Sequence, residues 1–204
     1  FSIKKKFNYI HEIGCSDGSS SFDLMQNLDF RKYECLDKYI NVNLYSSKTG
    51  MFLYDNSNNL HIYENKFLFV YLDPLKKNNG LFERFFSFLF IRKYIQNLEL
   101  QNLQLINPKI KLMHKNIIFK EFDIFKSKLD DKSDLIIIFN LLDKFLHKKK
   151  FINIFKIFIK DSLNDNGLLV IGENNKIEKS SIYIYKNSSL NLFHQVNNGS
   201  IFKF

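Results

Sequence analysis

Short apolar runs and stretches of helical periodicity alternate near the N-terminus. Residues 7–13 form an apolar run typical of a strand, and the small polar residues 14–21 follow it. Hydrophobic side chains then recur at helical spacing over residues 22–28, and residues 33–36 form a second apolar run that ends at Asp37. This order predicts a βαβ unit whose two parallel strands are joined by a right-handed crossover.

The middle of the chain has a different pattern. Aromatic and β-branched runs at residues 51–54, 60–63 and 67–71 are separated by polar residues, which predicts an antiparallel meander. Residues 81–100 are apolar on nearly every side of a helical projection and predict a helix packed on several sides. Together these elements predict an insertion over approximately residues 41–112, between the second and third strands of the core.

The alternation of strands and helices returns after the insertion. It predicts strands at 117–122, 135–139 and 168–171, a helix through 151–158, and a C-terminal hairpin of 181–185 with 190–196. We therefore expect a single α/β domain over residues 1–204. Its core is a Rossmann-like, open, mostly parallel sheet with helices on both faces and a C-terminal antiparallel hairpin, carrying the inserted β-meander and helix.

Composition and charge narrow the choice of partners. The chain has 204 residues, 45% of them hydrophobic, and a formal net charge of +9. That charge makes a nucleic-acid partner possible. It is not favoured, because the Lys residues are scattered and Arg, which makes bidentate phosphate and base contacts, is scarce.

The cysteine and histidine content argues against a metal or a disulfide framework. Only Cys15 and Cys35 are present, and none of the five His residues has metal-ligand spacing to a second ligand. We expect no metal site and a reducing, cytoplasmic location. The strongest apolar run, residues 85–91, is far shorter than the roughly 20 residues that span a bilayer, so no membrane span is expected. The oligomeric state is left open.

The candidate chemistry lies in the turn after the first predicted strand. Residues 12–18, Glu-Ile-Gly-Cys-Ser-Asp-Gly, present an acidic residue, one residue, Gly, three residues and Gly. A P-loop would need Gly-Lys-Ser/Thr at the end of the turn, and no Lys is there. A dinucleotide fingerprint would need three glycines, whereas this chain has Gly14, Ser16 and Ser19 at those positions.

This pattern resembles the first motif of the class I S-adenosylmethionine-dependent methyltransferases. In that family an acidic residue after the second strand binds the ribose hydroxyls, and Asp37 stands there. An acidic residue after the third strand contacts the adenine amino group, and Asp123 matches it. The fourth strand ends beside the methionine moiety, at Asn140, and residues 163–169 match the family's Leu-x-x-x-Gly-x-Leu turn. The resemblance spans residues 7–37 and 117–200.

The resemblance implies S-adenosylmethionine as the cofactor and a set of residues around it. A carboxylate can accept hydrogen bonds from both hydroxyls of a ribose, and it also suits an adenine amino donor. The positions that match the family's cofactor contacts are Glu12, Gly14, Cys15, Ser16, Gly18, Asp37, Asp123, Ile124 and Asn140.

The resemblance also implies methyl transfer to an acceptor that the sequence does not identify. The Asn/Asp-Pro-Pro-Tyr/Phe signature of amino-group methylation is absent, since residues 140–143 are Asn-Leu-Leu-Asp. This favours a small-molecule acceptor or an O or C nucleophile. No catalytic residue is assigned, and His147 is expected on the surface rather than as a base. The alternative is a non-catalytic binding or assembly module that retains a methyltransferase-like fold. A third hypothesis, an NAD-type oxidoreductase, is disfavoured by the glycine pattern.

Overall fold

A computed structural model of the chain describes residues 6–47, 50–57, 60–71, 99–113, 115–142, 149–174 and 177–200. The elements in chain order are β1 (Lys6–Ile13), a 3-10 helix (Ser19–Ser21), α1 (Phe22–Asn27), β2 (Asp29–Asp37), β3 (Asn41–Ser47), β4 (Gly50–Asp55), β5 (Leu60–Glu64), β6 (Phe69–Tyr71), β7 (Glu99–Gln104), α2 (Pro108–Lys111), β8 (Ile117–Glu121), β9 (Ser133–Phe139), α3 (Lys149–Ser162), β10 (Leu163–Asn174), β11 (Glu178–Lys186) and β12 (Ser189–Val196).

The chain divides into two compact units. One comprises Phe1–Ile40 with Ile106–Phe204, and the other comprises Asn41–Leu105. The second unit corresponds to most of the insertion expected over residues 41–112. Residues 106–112 belong instead to the first unit, where Ile110 of α2 is buried in the hydrophobic core.

The first unit is built on a seven-stranded sheet of order β12-β11-β10-β9-β1-β2-β8. The pairs β1–β2, β1–β9, β2–β8 and β9–β10 are parallel, whereas β10–β11 and β11–β12 are antiparallel. The predicted open, mostly parallel sheet with a C-terminal antiparallel hairpin is therefore confirmed. From β1 the chain moves outward through β2 and β8, and it then returns to β9 on the other side. The switch point, where such sheets bind ligands, lies between β1 and β9.

Strand β9 shows why helices cover both faces of this sheet. Its side chains alternate between two hydrophobic clusters, so that Leu135 and Ile137 lie on one face and Ile136 and Ile138 on the other. The first cluster includes residues of α1 and α2, namely Met25 and Ile110. The second includes Phe155, Phe158 and Ile159 of α3, which recur at helical spacing. The continuous apolar run in the sequence is thus a strand buried on both sides.

The second unit is a five-stranded antiparallel sheet of order β6-β5-β4-β3-β7. The predicted meander corresponds to β4, β5 and β6, and Phe52, Tyr54 and Tyr63 form its buried core. Residues 81–98 of the predicted helix lie outside the described residues. Its last two positions were predicted wrongly, because residues 99–100 belong to β7, where Leu100 pairs with Tyr45 of β3. Pairing with β3 overrides the helical periodicity there.

Candidate functional site

The turn after β1 has the backbone conformation that its glycines permit. Gly14 and Gly18 have φ angles of 78° and 80°, in the left-handed region that disfavours residues with a Cβ. Ser16 also has a positive φ, 54°, which is uncommon for a residue other than Gly, Asn or Asp. The N–H of Gly14 donates to the carbonyl of Leu36 at 2.7 Å and ties the start of the turn to β2. The turn lies at the carboxyl end of β1, beside the switch point.

Asp37 joins this turn to the ends of β2 and β8. Its Oδ2 accepts the N–H of Ser16 at 2.8 Å, and its Oδ1 accepts the N–H of Tyr39 at 3.1 Å. Its backbone carbonyl accepts the N–H of Phe122 at 2.9 Å. A carboxylate offers about four acceptor positions, so these two side-chain bonds leave room for about two more. The side chain is partly exposed. These properties fit the binding of a ribose diol.

Asp123 follows Phe122 in the loop after β8, at the same edge of the sheet. Its Oδ1 accepts the N–H of Phe125 at 3.0 Å, and its carbonyl accepts the N–H groups of Lys126 and Ser127 at 2.9 and 2.8 Å. The Oδ2 atom lies 3.8 Å from Nζ of Lys126, whose side chain is mostly exposed. The hydrogen bond from Phe122 to Asp37 therefore brings two of the predicted carboxylates into adjacent loops.

Asn140 lies on the other side of β1, at the end of β9. Its φ angle is 54°, its N–H donates to the carbonyl of Gly172 at 3.0 Å, and its Oδ1 accepts the N–H of Asn174 at 2.6 Å. The next residue, Leu141, approaches the turn after β1, since a Cβ built on Gly14 would lie 3.4 Å from Cδ2 of Leu141. Gly14 thus lies between the end of β2 and the loop that follows β9.

Glu12 has a different environment from the other predicted acids. It is 3% exposed, and its Oε2 accepts the hydroxyl of Tyr33 at 2.7 Å while its Oε1 accepts the hydroxyl of Ser21. Burial raises the pKa of Glu12, and the hydrogen bonds from Ser21 and Tyr33 act in the opposite direction. The sequence pattern gave no indication of Ser21 or Tyr33, because each matters through a contact with Glu12 that links separate elements, the 3-10 helix or β2 with β1.

Three of the predicted positions, Cys15, Ile124 and Gly18, face the hydrophobic core. The side chains of the first two are buried there, and a side chain at Gly18 would contact the buried Ile110. Cys15 and Ile124 are 2% and 5% exposed and belong to the two opposite hydrophobic clusters. A hydrogen bond with Cys35, followed by burial, raises the pKa of the Cys15 thiol, so it is a poor nucleophile. A Cβ on Gly18 would lie 2.6 Å from Cδ1 of Ile110. At all three positions, any contact with a ligand would come from the backbone.

A second buried polar group lies on the opposite face of β1. Nδ1 of His11 is 2.6 Å from Oγ of Ser133, and its Nε2 is 3.3 Å from Oε2 of Glu34. Oε1 of Glu34 is 2.7 Å from Nζ of Lys32 and 2.9 Å from Nζ of Lys120. Burial raises the pKa of Glu34, but these lysines outweigh it and leave that pKa lowered. No pattern in the sequence predicted this group.

A cleft of about 510 Å³ lies at the amino end of β2, the opposite end from Asp37. Its lining includes Asp29, Phe30, Lys115 and Asn116. Nζ of Lys115 donates to the carbonyls of Met25, Gln26 and Leu28 at 2.7, 3.1 and 3.2 Å. All three ammonium protons are therefore engaged at the end of α1, and among the described lining residues Lys115 is the one cation.

The part of the chain that the structure describes contains neither a metal-binding cluster nor a membrane-spanning helix. Within these ranges no group of three or more His, Cys, Asp or Glu side chains is arranged to hold a metal ion. No helix in the same part of the chain has the length and hydrophobicity to cross a membrane. His147, considered as a substrate base, lies outside the described residues.

Comparison with known proteins gives structural matches alone. No protein-family model matches the chain, and no curated protein sequence does so. The chain is similar to the N-methyltransferase NodS from Bradyrhizobium japonicum WM9, with 14% identity and a TM-score of 0.43 over 83% of this chain and 60% of that chain. It is also similar to an S-adenosylmethionine-dependent methyltransferase from Mesorhizobium loti, with 11% identity and a TM-score of 0.40 over 84% and 48%. For DhpI, in a structure described as a DhpI-SAM-HEP complex, the identity is 10% and the TM-score 0.40, over 82% and 47%.

The chain thus spans 60% of the length of NodS and about half of the other two proteins. Two of these structures are described as methyltransferases. The assignment of the fold rests on the strand order and strand directions of the seven-stranded sheet.

Proposed function

We propose that the chain binds S-adenosylmethionine at the carboxyl ends of β1, β2, β8 and β9 and transfers its methyl group to an acceptor. The observation that carries this proposal is the link between Asp37 and the turn after β1. Oδ2 of Asp37 accepts the N–H of Ser16 at 2.8 Å, which joins the glycine-containing turn beside the switch point of a mostly parallel sheet to a carboxylate at the end of β2.

Each predicted contact has a chemical basis. Asp37 accepts hydrogen bonds from the ribose hydroxyls, and Asp123, in the adjacent loop, accepts from the adenine amino group. Gly14 and Gly18 allow the tight turn, and its backbone approaches the ligand closely. Asn140 lies at the end of β9, where the family's methionine moiety is expected. Glu12, Cys15, Ser16 and Ile124 complete the proposed site.

The protein's contribution to methyl transfer is chiefly alignment. S-adenosylmethionine, when bound, supplies an electrophilic methyl group on a sulfonium that is already a good leaving group. The turn and the two carboxylates hold the adenosyl portion in place, so that the acceptor meets the methyl group in line. We propose a small molecule, or an oxygen or carbon nucleophile, as the acceptor, because the Pro-Pro signature of amino-group methylation is absent after Asn140. A cytoplasmic location is proposed with this function.

A calorimetric titration of the full chain tests the cofactor. We expect S-adenosylmethionine and S-adenosylhomocysteine to bind with a one-to-one stoichiometry, and NADH to give no heat of binding. If the folded chain bound neither adenosyl compound, the proposed function would be excluded. If NADH bound instead, the oxidoreductase hypothesis would replace it.

A methyl-transfer assay then separates an enzyme from a binding module. The chain is incubated with S-adenosylmethionine carrying a labelled methyl group and with pools of hydroxyl-containing and carbon-nucleophile acceptors. We expect label to enter one of these pools and not a pool of amines. Binding of the cofactor without transfer to any pool would favour the non-catalytic module.

A further inference from the structure

A buried hydrogen-bonded cluster lies directly behind the turn after β1. Glu12 lies on β1, Tyr33 on β2, and Ser21 ends the 3-10 helix that follows the turn. All three residues are at most 3% exposed. The two hydroxyls donate to different oxygens of the same carboxylate, Ser21 to Oε1 and Tyr33 to Oε2. The cluster therefore joins two strands to the segment that completes the turn.

Hydrogen bonds connect this cluster to the turn step by step. The N–H of Gly18 donates to the carbonyl of Cys15 at 2.9 Å, and the N–H of Ser21 donates to the carbonyl of Gly18 at 3.1 Å. The start of the turn is fixed separately, by the bond from Gly14 to Leu36. The contact between Ser21 and Glu12 therefore fixes the far end of the turn against the sheet.

The outer side of the turn has its own support. The N–H of Asn107 donates to the carbonyl of Asp17 at 2.9 Å, and its side-chain amide donates to Oγ of Ser19 at 2.9 Å. These bonds hold the surface of the turn but do not reach the sheet below it. The Glu12 cluster supplies that inner connection.

The chemistry of the cluster makes its geometry specific. A buried carboxylate is costly without hydrogen-bond donors, so losing one donor is more harmful than losing a bond at the surface. The titratable groups around Glu12 are Tyr33, Asp37, Cys15 and Cys35. Burial and the proximity of Glu12 raise the pKa of Tyr33 well above its ordinary value, so its hydroxyl remains a donor.

We propose that Glu12, Ser21 and Tyr33 form a positioning clamp, which holds the turn of residues 14–18 in the shape that binds the cofactor. This inference rests on the proposed function and assigns Glu12 a new role within it. Glu12 acts through Ser21 and the turn, and its side chain does not contact the cofactor. Ser21 and Tyr33 are positioning residues that the methyltransferase-like pattern does not include.

The test is calorimetric binding of S-adenosylhomocysteine to the full chain and to three variants. Tyr33→Phe and Ser21→Ala each remove one hydroxyl, and both are expected to weaken binding about tenfold, as for a hydrogen bond to a charged group. The matched control is Tyr54→Phe in the second unit. The Tyr54 hydroxyl is buried and has no hydrogen-bond partner among the described residues, so its removal should leave binding unchanged. Ser21→Ala serves as the second test should Tyr33→Phe fail to fold.

The third variant, Glu12→Gln, gives a readout that a purely structural role would not change. Protonation of Glu12 turns one of its accepting oxygens into a donor and removes the negative charge that strengthens both hydrogen bonds, so it weakens the clamp. The affinity of the wild type for S-adenosylhomocysteine should therefore fall as the pH drops through the raised pKa of Glu12. Glu12→Gln should not show this pH-dependent loss of affinity. Absence of binding by the wild type would overturn both proposals. Equal binding by the wild type, Tyr33→Phe and Ser21→Ala, or an unchanged pH profile in Glu12→Gln, would overturn the clamp alone.

Discussion

The backbone N–H of Ser16 donates to Oδ2 of Asp37 at 2.8 Å, so the turn after β1 and the end of β2 form one connected unit. Ser16 makes this bond with a φ angle of 54°, in a region where residues other than glycine are uncommon. Asp37 therefore stabilises the turn as well as offering acceptor positions to a ligand. Its two roles make it the most informative single residue of the proposed site.

Replacing Asp37 with alanine should weaken cofactor binding. The loss of hydrogen bonds to a charged acceptor is expected to cost about 1.5–3 kcal/mol in the free energy of S-adenosylhomocysteine binding. Calorimetry on Asp37→Ala measures this cost. The control is Asp29→Ala, at the exposed opposite end of the same strand, which should bind normally. Unchanged affinity in Asp37→Ala would disprove the assignment of the ribose contact.

The two glycines of the turn should differ in their tolerance of alanine. Gly14→Ala places its Cβ 3.4 Å from Leu141, an ordinary contact, so the cost is that of the left-handed backbone, about 1–2 kcal/mol. Gly18→Ala adds a clash at 2.6 Å with Ile110, and overpacking raises its cost to about 2–4 kcal/mol. Urea unfolding of both variants measures the difference. Equal losses of stability would contradict the packing assigned to Gly18.

The stability of the fold should fall at mildly acidic pH because of His11. Burial lowers the pKa of His11 below its ordinary value of 6.5, against the raising effect of Glu34. As the pH falls below about 6.5, His11 becomes protonated in the unfolded chain before it does so in the folded chain. The free energy of unfolding therefore decreases until the pH reaches the lower pKa of the folded state. Urea unfolding at a series of pH values should show this loss in the wild type.

His11→Gln supplies the comparison, because glutamine does not titrate. Its unfolding free energy should lack the component that sets in near pH 6.5, although its stability at neutral pH falls through the lost contacts with Ser133 and Glu34. Parallel pH profiles for the wild type and His11→Gln would show that another group causes the loss.

Lys115 should stabilise the end of α1. Its ammonium donates to three carbonyls, those of Met25, Gln26 and Leu28, and a cation is favourable at a helix C-terminus. Lys115→Met should lower the unfolding free energy by about 1–2 kcal/mol. Lys156→Met, on the exposed side of α3, is the control and should change stability by less than about 0.5 kcal/mol. Equal effects of the two substitutions would contradict the capping role.

The elements that were predicted best are those in which the hydrophobic positions of the sequence are also the buried positions of the structure. The apolar run at residues 135–139 predicted a buried strand because Leu135 to Ile138 contact two hydrophobic clusters in alternation. The helix through residues 151–158 was predicted because Phe151, Ile154, Phe155 and Phe158 recur on one helical face, and Phe155 and Phe158 are buried together in one hydrophobic cluster. In both elements, local periodicity and tertiary packing favour the same structure.

Elements that depend on long-range pairing were missed. Strand β7 is held by its ladder with β3, and its sequence, Glu-Leu-Gln-Asn-Leu-Gln, has little β-propensity of its own. The turn that residues 163–169 match lies inside β10, where the pairing with β9 shifts between Leu163 and Leu168 and Asn166 has a φ angle of 60°. Strand pairing extends across the irregularity, which the local residue types could not indicate.

Only those residues of the proposed site that stand at the ends of strands could be predicted from the sequence. Asp37 and Asp123 were proposed through the resemblance, and each follows an apolar run; parallel strands bring such positions to one edge. Tyr33 and Ser21 were missed because their partner, Glu12, lies 21 and 9 residues away in the sequence. The carboxylate of Asp134, at the start of β9, has a structural role of the same long-range kind. It accepts the N–H of Asn8 at 2.6 Å and the side-chain amide of Asn164 at 2.9 Å.

A crystal structure of the full chain with S-adenosylhomocysteine tests the central claim most directly. The account predicts that both ribose hydroxyls lie within hydrogen-bonding distance of the Asp37 carboxylate, with the adenine beside Asp123 and the Glu12 side chain out of contact with the ligand. A ligand bound elsewhere, such as in the cleft beside Lys115, or one that left Asp37 without a contact, would contradict it.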